Sequence, residues 1–304
     1  MTSNPVDQWP TQLWDDINNA VKIEAGKVRI AQKVFPTVTC DDNPTEVIDD
    51  VINFQDLSIQ EGKTKPFVEI YREFALSRTQ VTNEPTLKTC KTLARMAAKE
   101  IALAEDIIVF QGKNGKLGQV QADNIESAKA GLLGEALQFV GKPIPVPALD
   151  KRAGVTWGEN TFTAVTRGIA ELVRQTQAPA YALFLPTPAY ADSYAPPSAY
   201  TLVTTADRIK PLVEGGFYGT GTLPNDKGLL VALGGEPTTL YVGREITTEF
   251  RREEGSKYIF AVVERIQFVA RDVRSLVLLQ FEAPKLSSGL PTDNVHTKSG
   301  VTTN

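Results

Sequence analysis

The chain has 304 residues, 42% of them hydrophobic and 22% charged, enough apolar chain to bury a real core and too much for disorder to be its main state. Its formal charge of −4 gives no support to a nucleic-acid binder. A single histidine, His296, and two widely separated cysteines, Cys40 and Cys90, exclude Ser-His-Asp and Cys-His catalysis, multi-histidine metal sites and any disulfide or zinc framework.

The opening MTSNPVDQWPTQLWDD is polar and acidic, unlike a signal peptide, and no window approaches eighteen consecutive apolar residues. A cytoplasmic protein with reduced thiols is the expectation. The first predicted helix covers 11–31. Pro10 precedes it, and Leu13, Trp14, Ile17, Val21 and Val28 fall near one face. Asp15 and Asp16 are expected in its first turn, where the macrodipole favours acids. Residues 35–42 lose the helical period and end at the turn signal Asn43-Pro44.

Residues 54–81 read as an extended hairpin that turns at Glu61-Gly62-Lys63 and returns along 67–76, FVEIYREFAL. A long, thin, charged hairpin cannot bury both faces in its own domain, so it needs a neighbouring surface. The strongest helix is predicted at 84–109, where Leu87, Cys90, Ala94, Ala97, Ile101, Ala104 and Ile108 form one apolar stripe. Thr82 or Asn83 would cap it, with Pro85 in its first turn. Such a helix is roughly 35–40 Å long, the spine of an elongated subunit. Gly112, Gly115 and Gly118 follow a helix rather than a strand, so they predict a C-cap and turn, not a phosphate loop.

A weaker helix is expected over 123–139, then a proline-rich connector over 142–147. Another helix follows Asn160, with Phe162, Val165, Ile169 and Leu172 on one side, and stops at 177–179. The apolar run YALFL at 181–185 predicts a buried strand. Elements at 207–214, 228–233, 239–242, 258–264, 267–270 and 276–282 continue the series, which gives an α+β fold. From residue 283 the chain becomes a polar tail that carries His296.

Adjacent carboxylates occur at Asp15-Asp16, Asp41-Asp42, Asp49-Asp50, Glu105-Asp106 and Glu253-Glu254. Neighbouring side chains diverge on a helix or strand, so solvated faces and helix ends are expected rather than acid–base dyads. Arg251-Arg252-Glu253-Glu254 reads as a charged loop between two strands. No GxSxG, HExxH or DxDxDG motif occurs, and no catalytic constellation, metal or cofactor is expected.

Several strings in order carry a family resemblance. They are Trp14-Asp-Asp-Ile17 with Ala20; AAKEIALAEDIIVFQG at 97–112; YALFL at 181–185 with Tyr190; Arg208-Ile209, Gly215-Gly216, GLLV at 228–231, GGE at 234–236 and VGRE at 242–245. Over residues 11–283 the chain resembles the encapsulins, shell proteins with the α+β tailed-phage major capsid-like (HK97-type) fold. The resemblance implies a P-domain, an A-domain and an extended E-loop. It places the N-terminal helix and the start of the P-domain at 1–53, the E-loop at 54–82, and the P-domain with its spine helix at 83–144. The A-domain would fill most of 145–245, return strands 246–283 and a polar tail 284–304.

The resemblance further implies a non-enzymatic subunit of a closed icosahedral shell, a homo-oligomer around a peroxidase or ferritin-like cargo that carries a terminal targeting peptide. No membrane partner is expected, and no nucleic acid unless the chain is a phage capsid protein instead. Trp14, Ile17 and Val21 would dock the peptide, unless they simply pack on their own domain. Asp192, Ser193, Tyr194 and Ser198 would form a five-fold pore loop, unless they are an ordinary turn. Glu61, Lys63, Lys65, Glu69 and Arg72 would make the E-loop contacts between subunits. One alternative is a tailed-phage or prophage major capsid protein. Because the matched fold begins near residue 13, no room is expected for a long scaffold segment, which favours the compartment. The other alternative, an α+β metabolic enzyme, predicts a polar cleft with perturbed carboxylates.

Overall fold

A computed structural model describes residues 4–41, 44–54, 56–140, 142–149, 156–196 and 203–283. After a 3-10 turn the chain forms helix α1 (Thr11–Val28), the one-turn α2 (Ala31–Val34) and strand β1 (Thr37–Thr39). Short strands β2 (Glu46–Ile48), β3 (Val51–Asn53), β4 (Ser58–Gln60) and β5 (Thr64–Pro66) precede the long β6 (Val68–Ser77). Helices α3 (Arg78–Thr82), α4 (Glu84–Leu87) and α5 (Thr89–Gln111) lead to β7 (Gln121–Asp123), α6 (Gly131–Val140), β8 (Ile144–Val146) and α7 (Glu159–Arg174). The remainder comprises β9 (Tyr181–Pro186), α8 (Thr187–Ser193), α9 (Thr205–Ile209), β10 (Gly216–Thr220), β11 (Lys227–Ala232), β12 (Thr238–Glu254), β13 (Lys257–Ala270) and β14 (Leu276–Phe281).

Two five-stranded sheets organise these elements. The first has the order β1-β12-β13-β6-β7, the second β10-β9-β11-β14-β8. One continuous core joins α1, α5 and α6 to the first sheet through Ile17, Val21, Ala98, Ile101, Phe110 and Phe260, and reaches the second sheet at Phe184 and Leu278. A separate cluster lies on the other side of the second sheet, where Leu183, Leu230 and Val277 meet Val165 and Leu172 of α7. Strand β9 thus has apolar contacts on both faces: Ala182 and Phe184 point to one cluster, Leu183 and Leu185 to the other. That is why YALFL reads as an unbroken apolar run instead of alternating.

The spine helix is shorter at its start than its periodicity predicts. Lys88 takes a left-handed conformation (φ 51°) and separates α4 from α5. The cap of α5 is neither Thr82 nor Asn83 but the buried Glu84 carboxylate, which accepts from the backbone N–H groups of Cys90 (2.8 Å) and Lys91 (3.0 Å). At 23 residues α5 is about 35 Å long. It ends at Gly112, where φ is +61° and a Cβ would lie 2.4 Å from the Gly131 nitrogen, so glycine is required on both counts.

Asp15 and Asp16 fall beyond the first turn of α1, and Asp16 instead binds Lys91 Nζ on α5 at 2.8 Å. The helix predicted over 123–139 is broken by left-handed Asn124 and Lys129 into a 3-10 turn followed by α6. The proline-rich connector contributes β8, at the edge of the second sheet, where proline costs no ladder bond. Arg251 to Glu254 belong to β12 rather than to a loop, and β12 turns into β13 at Gly255 (φ +60°). Three irregularities in the β12–β13 register, between Val242 and Arg252, bend this long hairpin.

Pairing also relocates the extended hairpin. β2 pairs with β5 and β3 with β4, so the arm runs from β2 to β5 and turns between β3 and β4, not at 61–63. Gly62 (φ +87°) is a kink in the returning branch, where its N–H donates to Asp50 Oδ1 (3.1 Å). The strand expected to complete the hairpin, β6, lies inside the first sheet, paired with β13 and β7. Val68, Ile70 and Leu76 are buried there, which a free arm could not offer. Both cysteines are free thiols, Cys40 half-buried and Cys90 fully buried.

Candidate assembly and docking surfaces

The arm is exposed along most of its described length. Ile48, Leu57 and Ile59 are 63%, 83% and 60% exposed, large apolar residues with no cover in the subunit. Its root is tied down by Lys65, whose Nζ donates to the Phe268 carbonyl (2.7 Å), and by Lys129 on Asp49 (3.3 Å). Near the tip, the Arg274 guanidinium lies 3.9 Å over the Phe54 ring. Burial pulls the Lys65 amine down to about 8.

Only two of the five predicted contact residues remain available on the arm, the exposed Glu61 and Lys63. Glu69 and Arg72 sit in β6. Burial works to raise the Glu69 carboxyl, but Arg265 at 2.6 Å, with Arg251 and Arg244, holds it below its usual range. Arg72 pairs with Glu100 (2.7 Å) and Gln119. The exposed apolar residues were the better signal for a contact surface. They are visible in the sequence as apolar positions among acids and amides at 46–60.

On α1, Ile17 and Val21 are fully buried within the chain's own core and have no surface left for a peptide. Trp14 is half-buried against Trp9 (5.1 Å) and Phe260 (6.2 Å), and Trp9 donates through Nε1 to the Val81 carbonyl (3.0 Å). What α1 presents instead is exposed Ile23 and one wall of a cleft of about 200 Å³. Lys22, Gly26 and Arg29 line that cleft with Thr37 and Thr39 of β1, Glu245 of β12 and Glu264 of β13, and Lys22 pairs with Glu245. Nearby, Glu24 gathers Arg95 (2.7 Å), Lys99 and Lys27 (both 3.3 Å), which hold its carboxyl down at about 2.

Glu105 and Asp106, expected on a solvated face, are fully buried. Asp106 accepts from the backbone N–H groups of Ile30 (2.9 Å) and Ala31 (2.8 Å), holding the start of α2; burial outweighs these bonds and raises its carboxyl to about 6. Glu105 meets Glu264 and Arg29, and burial raises both glutamates. This corner adjoins the cleft, so the perturbed carboxylates that the enzyme alternative predicts do exist. Little of them is presented to it: Glu264 lines the cleft at only 1% exposure and Glu105 lies behind it, Glu105 Oε1 and Glu264 Oε2 are sealed from solvent without a partner, and Arg29 and Gln32 hold the other oxygens. Among the described residues no group of three or more His, Cys, Asp or Glu could hold a metal ion.

At the far end of the second sheet, Asp192 turns inward. It accepts from the N–H groups of Thr156, Trp157 (3.0 Å) and Gly158 (2.9 Å), fixing the entry to α7. Ser193 is buried and donates to the Tyr190 carbonyl (2.6 Å). Of the described residues expected in a pore loop, Tyr194 is the exposed one, Asp192 being half-buried and Ser193 buried. Its hydroxyl lies 3.1 Å from that of Tyr190, which this bond pushes up to about 12, and Lys210 Nζ sits 4.8 Å over its ring. Ser198 and the tail 284–304, with His296, lie outside the described residues.

Residues 146–267, from β8 into β13, match the Linocin M18 family, described as an encapsulating protein for peroxidase. No curated protein sequence matches the chain significantly. Solved structures do. A virus-like particle from Pyrococcus furiosus aligns at TM-score 0.62 and 17% identity over 88% of this chain and 99% of its own. The capsid of Myoviridae phage XM1 aligns at 0.55 and 11%, over 84% and 92%, and the capsid of a native GTA particle at 0.53 and 14%, over 83% and 90%. These likenesses establish the α+β HK97-type capsid fold, and the family match bears out the encapsulin resemblance over residues 146–267. No described helix is long and apolar enough to cross a membrane.

Proposed function

We propose that this chain, with its capsid fold and encapsulin-type segment, is a non-catalytic shell subunit whose copies close into an icosahedral cytoplasmic compartment around a cargo enzyme, a peroxidase by the family's description. The observation that carries the reading is the occurrence of both features in one chain with an arm that exposes Ile48, Leu57 and Ile59. Covering such residues on a neighbouring copy contributes about 1.5–3 kcal/mol each. Glu61 and Lys63 flank that contact, while Lys65, Glu69 and Arg72 fix the arm's root and the sheet beside it. In this reading the first sheet with α1 and α5 is the P-domain and the second sheet the core of the A-domain.

The cargo's targeting peptide docks beside α1. With Ile17 and Val21 buried, the contacts fall to Ile23, the exposed part of Trp14 and the neighbouring cleft. Asp192 and Ser193 brace the base of the five-fold pore loop, and Tyr194 lines it. Electron cryomicroscopy of the purified protein tests the assembly: closed shells are expected, and monomers or small rings alone would refute it. Mass spectrometry of co-purifying protein tests the cargo.

A second reading, the major capsid protein of a tailed phage or prophage, is favoured by the phage capsids among the structural likenesses. Shells filled with DNA, or neighbouring portal and terminase genes, would establish it. Shells filled with peroxidase establish the first.

A further inference from the structure

Where α1, α2, α5 and β13 meet, three carboxyl groups and one guanidinium are buried together: Glu105, Asp106, Glu264 and Arg29. With every acid ionised the corner would hold three negative charges against one positive, almost wholly out of contact with water, a state of high cost. Asp106 has donors of its own in the Ile30 and Ala31 backbone. Glu105 and Glu264 do not. They converge on the same two nitrogens, Arg29 Nη1 at 3.2 and 3.1 Å and Gln32 Nε2 at 3.2 and 3.4 Å. Their other oxygens, and Nε and Nη2 of Arg29, have no partner. Two carboxyl groups that share one cation and one amide are most stable with one proton between them.

We propose that Glu105 and Glu264 hold a single proton in common at neutral pH, and that its loss in alkaline solution is a built-in release that loosens the α1–α2 corner from spine helix α5 and strand β13. The other charged groups facing the pair are few. Arg29 comes from the end of α1 and Asp106 from α5; Lys33 of α2 acts on Asp106, while Lys22 of α1 and Glu245 of β12 face each other across the cleft. None adds a second cation in contact with the two glutamates.

The direction follows from linkage. Burial first, then the neighbouring Glu264, raises the Glu105 carboxyl, and burial raises that of Glu264. A carboxyl raised in the folded state stabilises the fold fully at pH below its unfolded value and loses that contribution as pH climbs through the folded one. The corner therefore weakens toward alkali, not acid. This device rests on the fold alone, so it stands whether the assembly is a compartment or a phage capsid.

Infrared spectroscopy and denaturant unfolding of the full chain test it. The wild type at about pH 7 should show the carbonyl stretch of a protonated carboxylic acid, lost in Glu105→Gln and in Glu264→Gln and retained in Asp106→Asn. Between about pH 7 and about pH 9 the wild-type folding constant should fall by up to about tenfold per pH unit relative to Glu105→Gln, which leaves one carboxylate facing one guanidinium. Absence of the band in the wild type, its persistence in both Gln variants, or parallel pH slopes would each overturn the proposal. The wild-type spectrum decides even where a variant fails to fold.

Discussion

The arm and the buried corner break the ordinary partition of residues in opposite ways. The arm leaves Ile48, Leu57 and Ile59 in water, and the corner takes Arg29, Glu105, Asp106 and Glu264 out of it. Each exception creates a demand for a partner. The corner meets most of its demand inside the chain, drawing Arg29 and Gln32 from one end of the sequence, Glu105 from the middle and Glu264 from near the other end. The arm finds only anchorage in its own subunit, through Lys65, Asp49 and Phe54. An unmet demand at a surface is an instruction to assemble; an internal one, met by distant segments, locks the subunit that does the assembling.

That contrast breaks most decisively at the arm. The double variant Leu57→Asp/Ile59→Asp should abolish closed particles in micrographs and in sedimentation, while circular dichroism and the melting temperature of the subunit stay near wild type. Particles in normal yield would remove the arm from the assembly argument. At the corner, Arg29→Met leaves two buried acids without their cation. A loss of about 3–5 kcal/mol is expected in denaturant unfolding. A loss under about 1 kcal/mol would show that the corner tolerates its charges without pairing.

A smaller effect is expected at the helix that joins the two regions. Glu84→Ala removes the carboxylate that caps α5 and should cost about 1–2 kcal/mol in unfolding, with no change in particle formation. The smallest is on the acid side. Arg95, Lys99 and Lys27 hold Glu24 low, at about 2, so its contribution is present above the ordinary carboxylate range and is lost as pH falls toward 2. Arg95→Met should flatten the acid limb of a stability–pH profile and leave the alkaline limb unchanged. A changed alkaline limb would mean that the two acid sites are coupled.

Local pattern in the sequence reveals what depends on local pattern. The stripe from Cys90 to Ile108 gives α5, and YALFL gives β9, because helical and apolar runs report burial directly. The arm is misplaced by the same logic. β6 and the strands at 46–66 all have extended, mixed character, and nothing local says that β6 pairs with β13 nearly two hundred residues away. Glu105 and Asp106 read as surface because charge on a helix is ordinarily solvated, and the Arg29 and Ile30 donors that overrule this lie over seventy positions upstream. For Ile17 and Val21 the periodicity already signals burial, whereas the family's peptide site suggests exposure. The packing sides with the periodicity.

The two cysteines set how the protein meets oxidants. Burial raises both thiols, Cys40 with help from Asp41 and Cys90 with help from Glu84, so the reactive thiolate is scarce at neutral pH. Cys90 is sealed in the helix interface as well. A wall built from such subunits has little at these two positions for peroxide to attack. In the compartment proposed above, these two thiols would be spared the peroxide that a cargo peroxidase consumes.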